Sequence, residues 1–249
     1  MKNRFQGKKE YPNIDIIHSA SSYLSLEEIS RGVGYRYRPL QLEGAHYEIA
    51  PDPSLVERSE NLGETLITRR SSRDFHRGSI TFEELSTILY FSTRPFPSDL
   101  GGGSLLDIFL VVNRVEGIPP GIYYFDRIRD AIVLMKEGGF SESAQYLSLE
   151  QPLAGNSAVT LFFTADLENI LAAYGNRGYR HAHVEAGIVG QFLYLTTRAL
   201  GIGASGIGAF YDDAVNQFLG LQGTGLTVIY DFAIGRERGD ERLLPGTHL

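Results

Sequence analysis

With 249 residues, 43% of them apolar and 21% charged, the chain has an ordinary globular composition and is long enough to bury a sizeable core. A net charge of −7, with no long basic stripe, excludes non-specific binding to nucleic acid, which needs basic residues in excess. The absence of cysteine excludes disulfides, thiolate catalysis and thiolate-held metal. The basic segment Met1 to Glu10 leads into Asp15, His18 and Ser19 rather than an apolar run, so no export signal or membrane span is expected, and the expected location is cytoplasmic.

Residues 1–58 mix polar, proline and aromatic residues and read as an arm, with a short helix near Ser25 to Arg31 where Ser25 and Glu28 have capping-box spacing. Residues 59–249 read as the domain proper. Leu55, Leu62, Leu66 and Ile67 recur at helical spacing and predict a helix over Pro53 to Arg69. Thr81-Phe82-Glu83-Glu84 is a second capping box, opening a helix that Pro95 ends. The stretch from Pro97 to Ser104 is a turn-rich loop whose glycines let backbone approach a ligand. Strands are expected at Ile108 to Val112, Gly121 to Phe125, Ala131 to Met135 and Ala158 to Thr164, the middle two forming a hairpin. Tyr179 to Leu200 reads as a helix that is apolar almost all round and therefore buried in a core or an interface. Along it Ala182, Ala186 and Gly190 form a stripe where another backbone can come close. A helix over Asp212 to Leu219 and a strand over Leu226 to Ile234 complete a single α+β domain.

The residues richest in chemistry are Arg69 to Arg73, where three guanidinium groups and two hydroxyls fall within five positions. Guanidinium forks onto phosphate oxygens with parallel hydrogen bonds, and serine hydroxyls and loop amides fill the oxygens that arginine leaves. A phosphorylated small molecule suits this loop; the plainer reading is a basic helix end that complements the macrodipole. Other motifs fail on context. Gly201-Ile202-Gly203-Ala204-Ser205-Gly206 matches the dinucleotide fingerprint in letters, but a long helix precedes it instead of a strand. Ser205 lacks the second glycine of a nucleophile elbow. His181 and His183, two apart on a helix, face different ways, so no metal is expected.

In order and spacing, several segments together resemble the nitroreductase-like flavoproteins, and within them the SagB-type dehydrogenases of thiazole/oxazole-modified peptides. They are the Arg69 to Arg73 loop, the glycine loop after Pro97, Ile17 to Ser21, Gly117 to Tyr123, Gly178 to Gly187 with Gln191, Ala199 to Gly203, the turn to Asp212-Asp213, and Ile234-Gly235-Arg236. The resemblance covers about residues 15 to 240. It implies a mixed, mainly antiparallel sheet flanked by helices, in an intertwined homodimer with FMN at the subunit interface. Arg69, Arg70, Ser71 and Arg73 would hold the phosphate and ribityl chain, and Arg236 would close on the phosphate. Gly206, Ile207 and Gly208 would lie along the flavin and offer amides to N5, while Ser98, Gly102 and Gly103 would come from the other side. The implied reaction is hydride transfer through N5, on a peptide azoline or another small substrate. A general nitro or quinone reductase fed by NAD(P)H is the second reading, and a non-catalytic flavin-binding subunit the third.

One departure stands out. The SagB-type branch pairs a Lys with a Tyr ahead of the long helix, where this chain has Ala173 and Tyr174. A tyrosine titrates near pH 10 on its own, so Tyr174 needs a cationic neighbour such as Arg177 or Arg180 to accept a proton at neutral pH.

Overall fold

A computed structural model of the chain describes residues 12–22, 24–29, 35–57, 62–96 and 105–238. The chain begins with helices α1 (Pro12–Ala20) and α2 (Leu26–Ile29), strand β1 (His46–Glu48), and helices α3 (Pro53–Glu57) and α4 (Leu62–Thr68). Strand β2 (Ile80–Thr81) runs directly into α5 (Phe82–Thr93), followed by β3 (Asp107–Val112), β4 (Val115–Glu116), β5 (Gly121–Asp126) and β6 (Ala131–Glu137). Helices α6 (Ser141–Leu147) and α7 (Pro152–Asn156) lead to β7 (Val159–Asp166), α8 (Leu167–Tyr174) and the 23-residue α9 (Arg177–Ala199). Strand β8 (Gly203–Ile207), helix α10 (Asp212–Phe218) and strand β9 (Leu226–Gly235) complete the order.

Seven strands form one sheet in the order β1-β6-β5-β3-β7-β9-β8, with every neighbouring pair antiparallel. β2 and β4 pair in parallel beside it. Central β3 is buried along its whole length because both faces are covered. Its Ile108, Leu110 and Val112 enter a core shared with α5, α8 and α9. Phe109 and Val111 point the other way, into a core shared with α6, α7 and α10. The β5–β6 hairpin closes on Asp126, whose Oδ1 accepts from the amides of Ile128 and Arg129 at 3.0 and 3.1 Å.

The capping box ahead of α5 forms as its spacing predicts. Thr81 Oγ1 accepts from the Glu84 amide at 3.0 Å, and Glu84 Oε2 accepts from the Thr81 amide at 2.9 Å. Near Ser25 the pattern differs, for Glu28 Oε2 accepts from the Leu24 amide at 3.0 Å. The helix expected over Pro53 to Arg69 is seen as α3 and α4, and residues 58–61 between them lie outside the described residues. Helix α1 was not expected from the sequence, and none of its residues is buried.

The small-residue stripe of α9 packs inside the subunit. Ala182 and Ala186 are buried in the core, and a Cβ on Gly190 would sit 3.6 Å from the Phe232 ring of β9. What packs on the stripe is thus side chains of the chain's own sheet. The helix is not apolar and buried all round, because Val184 and Phe192 are exposed and a Cβ on Gly187 would meet nothing within 4 Å. Among the described residues, no helix is long and apolar enough to cross a membrane.

Candidate functional site

After α4 the chain turns out of the helix at Arg69 and runs along the free edge of β8. The Ser72 amide donates to Ala204 O of that strand at 2.7 Å. Phe75 then bridges Glu237, the His76 amide donates to Arg236 O at 3.1 Å, and the Arg238 amide donates to Asp74 O at 3.3 Å. The arginine loop and the segment after β9 are therefore stitched into one knot on the edge strand, anchored by the fully buried Phe75 ring. Glycine is required beneath it, since a Cβ on Gly203 would stand 2.5 Å from Ser72 Oγ.

Residues 69–76 and 236–238 carry five arginines, Arg69, Arg70, Arg73, Arg236 and Arg238. Three carboxylates answer them. Arg70 pairs with Glu237 at 3.1 Å, Arg238 with Asp74 at 3.2 Å, and Arg236 with Glu84. Among the described residues two positive charges are left in excess, which matches the charge of a phosphate monoester near neutral pH. Arg73 is exposed, and Arg69 and Arg70 are half-buried. Arg236 is the most committed of the group. Its Nη2 donates to both carboxylate oxygens of Glu84 at 2.8 and 2.7 Å, and its Nε donates to Ser79 O at 3.1 Å.

The hub of the site is Tyr194 of α9, which sequence reasoning missed. Its hydroxyl accepts from the Gly206 amide at 2.7 Å and shares a 2.7 Å hydrogen bond with Ser71 Oγ. Its ring lies 4.7 Å beneath the Arg69 guanidinium and 4.8 Å from the Phe232 ring. Nothing in local spacing marks this residue, because its partners come from a loop more than a hundred residues earlier and a strand a dozen later. Gly206 is crowded as well, for a Cβ there would fall 2.3 Å from the Tyr230 hydroxyl. Gly208 has room, the nearest atom to its Cβ position being 3.8 Å away on the Tyr230 ring.

Arg69, Arg70, Ser71, Gly206, Ile207 and Gly208 thus come together, with Arg73 and Arg236 on the same knot. Ser98, Gly102 and Gly103 lie outside the described residues. Tyr174 lies elsewhere. It ends α8, is 4% exposed, and packs its ring 5.1 Å from His181 and 5.8 Å from Tyr35. Its neighbour His181 and the hub Tyr194 stand thirteen residues apart on α9, roughly 20 Å along a helix. Arg177 and Arg180, the candidate cations for Tyr174, also contact the arm. Arg177 donates to Ser21 O at 3.3 Å and Arg180 to His18 O at 2.7 Å.

Two clefts flank Tyr174. One of about 360 Å³ is lined by Tyr174, Asn176 and residues of the α1 end. The other, about 370 Å³, is lined by Tyr35, Tyr37, Asp107, Asp166 and Ala173. Asp107 Oδ1 accepts from the hydroxyls of Tyr37 and Tyr124 at 2.8 and 2.6 Å, tying the arm to the sheet. Burial raises the Asp107 pKa, and these two hydrogen bonds oppose the rise. Burial, and then the charge of Arg177, lower the His181 pKa. Among the described residues no cluster suited to a metal ion occurs.

The chain matches the nitroreductase family over residues 66–236. It is 31% identical over 168 residues to a Methanocaldococcus jannaschii protein named as a nitroreductase, MJ1384, covering 65% of this chain and 85% of that one. A crystal structure of an Anabaena variabilis protein named as a nitroreductase superposes with a TM-score of 0.68 at 31% identity. That match covers 78% of this chain and 42% of the Anabaena chain, so this chain spans less than half of it. The E. coli microcin synthetase McbBCD complex, with truncated pro-MccB17 bound, contains a chain that matches 95% of this one. That likeness covers 85% of the microcin synthetase chain with a TM-score of 0.60, and at 16% identity it is one of fold.

Proposed function

Because the chain belongs to the nitroreductase family, whose members are oxidoreductases that typically bind FMN, we propose that it is an FMN-dependent oxidoreductase, with its cofactor phosphate on the Arg69 to Arg73 loop. The single observation that carries this reading is the knot in which five arginines face three carboxylates beside the Tyr194–Ser71–Gly206 contacts. The residues fit the group. Guanidinium and serine hydroxyl suit a dianion, and the open Cβ position at Gly208 admits a flat ring close to backbone. Bound there, the cofactor would supply hydride transfer through its N5.

The chain's own part is to hold and orient. Arg69, Arg70 and Arg73 would take the phosphate, with Arg236 behind them, while Glu84 keeps that guanidinium fixed. Ile207 would lie along the ring and the Gly208 amide would face it, since the Gly206 amide is engaged by Tyr194 in the protein alone and Ile207 pairs with Asp231 in the β8–β9 ladder. Ser98, Gly102 and Gly103 keep their proposed place on the ring's other side.

Tyr174, far from the knot within one subunit, reaches a flavin only if a second copy brings it there, so the active species is proposed as a homodimer with sites built from both chains. Exposed apolar side chains offer the surface for it. Leu62, Leu66 and Ile67 on α4 are 68%, 51% and 86% exposed, and Val184 and Phe192 stand out from α9. Glutamate at Ile67 is expected to shift the protein to monomers on light scattering while leaving its circular dichroism intact; a dimer indifferent to Ile67→Glu moves the interface elsewhere.

For substrate, the proposal is a SagB-type dehydrogenation of a peptide azoline or a similar small molecule, supported by the shared fold with the microcin synthetase chain. A nitro or quinone reductase fed by NAD(P)H is favoured by a different observation. Ala173 stands where the SagB-type branch has the Lys that assists proton removal. Anaerobic mixing of flavin-loaded protein with NADPH separates the two. Rapid bleaching without peptide supports the reductase, whereas flavin that stays oxidised until an azoline peptide is added supports the dehydrogenase.

A further inference from the structure

Resting on the FMN reading above, we infer that Tyr194 is a positioning residue that locks the phosphate loop to the flavin-facing strand through its hydroxyl. The loop backbone is stitched to β8 and to the segment after β9, and what Tyr194 adds is orientation. Ahead of Ser71 lies α4, whose only buried residue is Thr65, and Arg69 to Ser71 are only half-buried. Behind it the Ser72 amide donates to Ala204 O, which fixes the loop backbone to the strand, and Glu237 pairs with Arg70; neither contact orders Arg69.

Tyr194 supplies that orientation from three contacts on one side chain. The ring is set edge-on against the fully buried Phe232 of β9, so the hydroxyl is delivered from the subunit core. That hydroxyl receives the Gly206 amide and meets Ser71 Oγ, so a single oxygen spans the ring end and the phosphate end of the site. Over the ring face sits Arg69, whose charge is held above the π-system and whose planar fork is thereby kept from the rotamers it would sample in water. Affinity for a charged ligand depends on such prior ordering, since binding otherwise spends part of its energy on immobilising long side chains.

Tyr194→Phe keeps the ring, its Phe232 packing and the place for Arg69, and removes only the oxygen. The experiment compares FMN with riboflavin, which has the same ring and no phosphate, by fluorescence titration of wild type and Tyr194→Phe. Loss of one hydrogen-bonding oxygen is expected to lower FMN affinity by about five- to tenfold. Riboflavin affinity should fall less, so the preference for FMN narrows. Hydrogen exchange at the Gly206 amide, measured on the cofactor-free protein, should quicken in the variant. An unchanged FMN-to-riboflavin ratio, with or without a parallel loss of both affinities, overturns the inference and leaves Tyr194 with a packing role. Wild-type protein that prefers neither ligand overturns the cofactor reading, and this inference with it.

Discussion

Alanine in place of Arg70 is expected to weaken FMN binding by about 2 kcal/mol, roughly thirtyfold in Kd, while leaving thermal stability almost unchanged. The two effects differ because Arg70 does different things with and without ligand. In the protein alone one of its partners is Glu237 at 3.1 Å, with both side chains about a third exposed. Such a pair contributes at most about 1 kcal/mol to folding, and less in salt. Facing a phosphate dianion, the same guanidinium makes charge-assisted bonds in a corner where arginines outnumber carboxylates. A control sharpens the result. Glu237→Gln releases Arg70 from its pairing and should hold or tighten FMN, so the two substitutions move affinity in opposite directions. Titration by quenching of flavin fluorescence measures both, and equal Kd values for wild type and Arg70→Ala would remove Arg70 from the site.

The other large effect concerns stability and pH. Asp231 of β9 is wholly buried between its neighbours Phe162 on β7 and Ile207 on β8. Ser148 Oγ donates to its Oδ2 at 2.7 Å, and Oδ1 has no hydrogen-bond partner among the described residues. Burial pushes its pKa up to about 8, against the weaker opposing pull of Ser148. The folded protein therefore keeps a proton on Asp231 that the unfolded chain gives up near pH 4. Because the folded pKa is the higher one, the stabilisation is complete below about pH 4 and is lost as pH rises toward 8. The limiting slope is about 1.4 kcal/mol per pH unit, a few kcal/mol over the whole window. Asn at this position carries no titrating proton. The difference in Tm between Asp231→Asn and wild type should therefore grow in favour of the variant from pH 5 to pH 8.5. Parallel profiles over that range would show that Asp231 does not titrate in the window its burial implies.

Much of the frame was legible in the sequence because local and tertiary forces agree there. Thr81 and Glu84 cap α5 in the predicted manner, and the hydrophobic runs at 108–112, 121–125 and 158–164 became central strands with both faces covered. The glycines near 203–206 matched a fingerprint only in letters and were assigned no strand, yet they form β8. Their lack of side chains serves packing, with Ser72 and Tyr230 occupying the space where a Cβ would be. Glu84 was read only as a cap. In three dimensions it also holds Arg236 from the far end of the chain, a distance that no local pattern spans. The same reason hid Tyr194 and Asp231, whose partners are set by tertiary contact. The small-residue stripe on α9 did signal close packing, but periodicity cannot say whether the approaching backbone is the chain's own or a neighbour's.

The claim on which the rest depends is that the arginine knot and the strand beside it hold FMN. An absorbance spectrum of the purified protein, with any released cofactor identified by mass, tests it directly. The expected result is a yellow protein with flavin bands near a one-to-one ratio of FMN to chain, or a colourless one that takes up added FMN to that ratio. A colourless protein that also refuses added FMN would contradict the account.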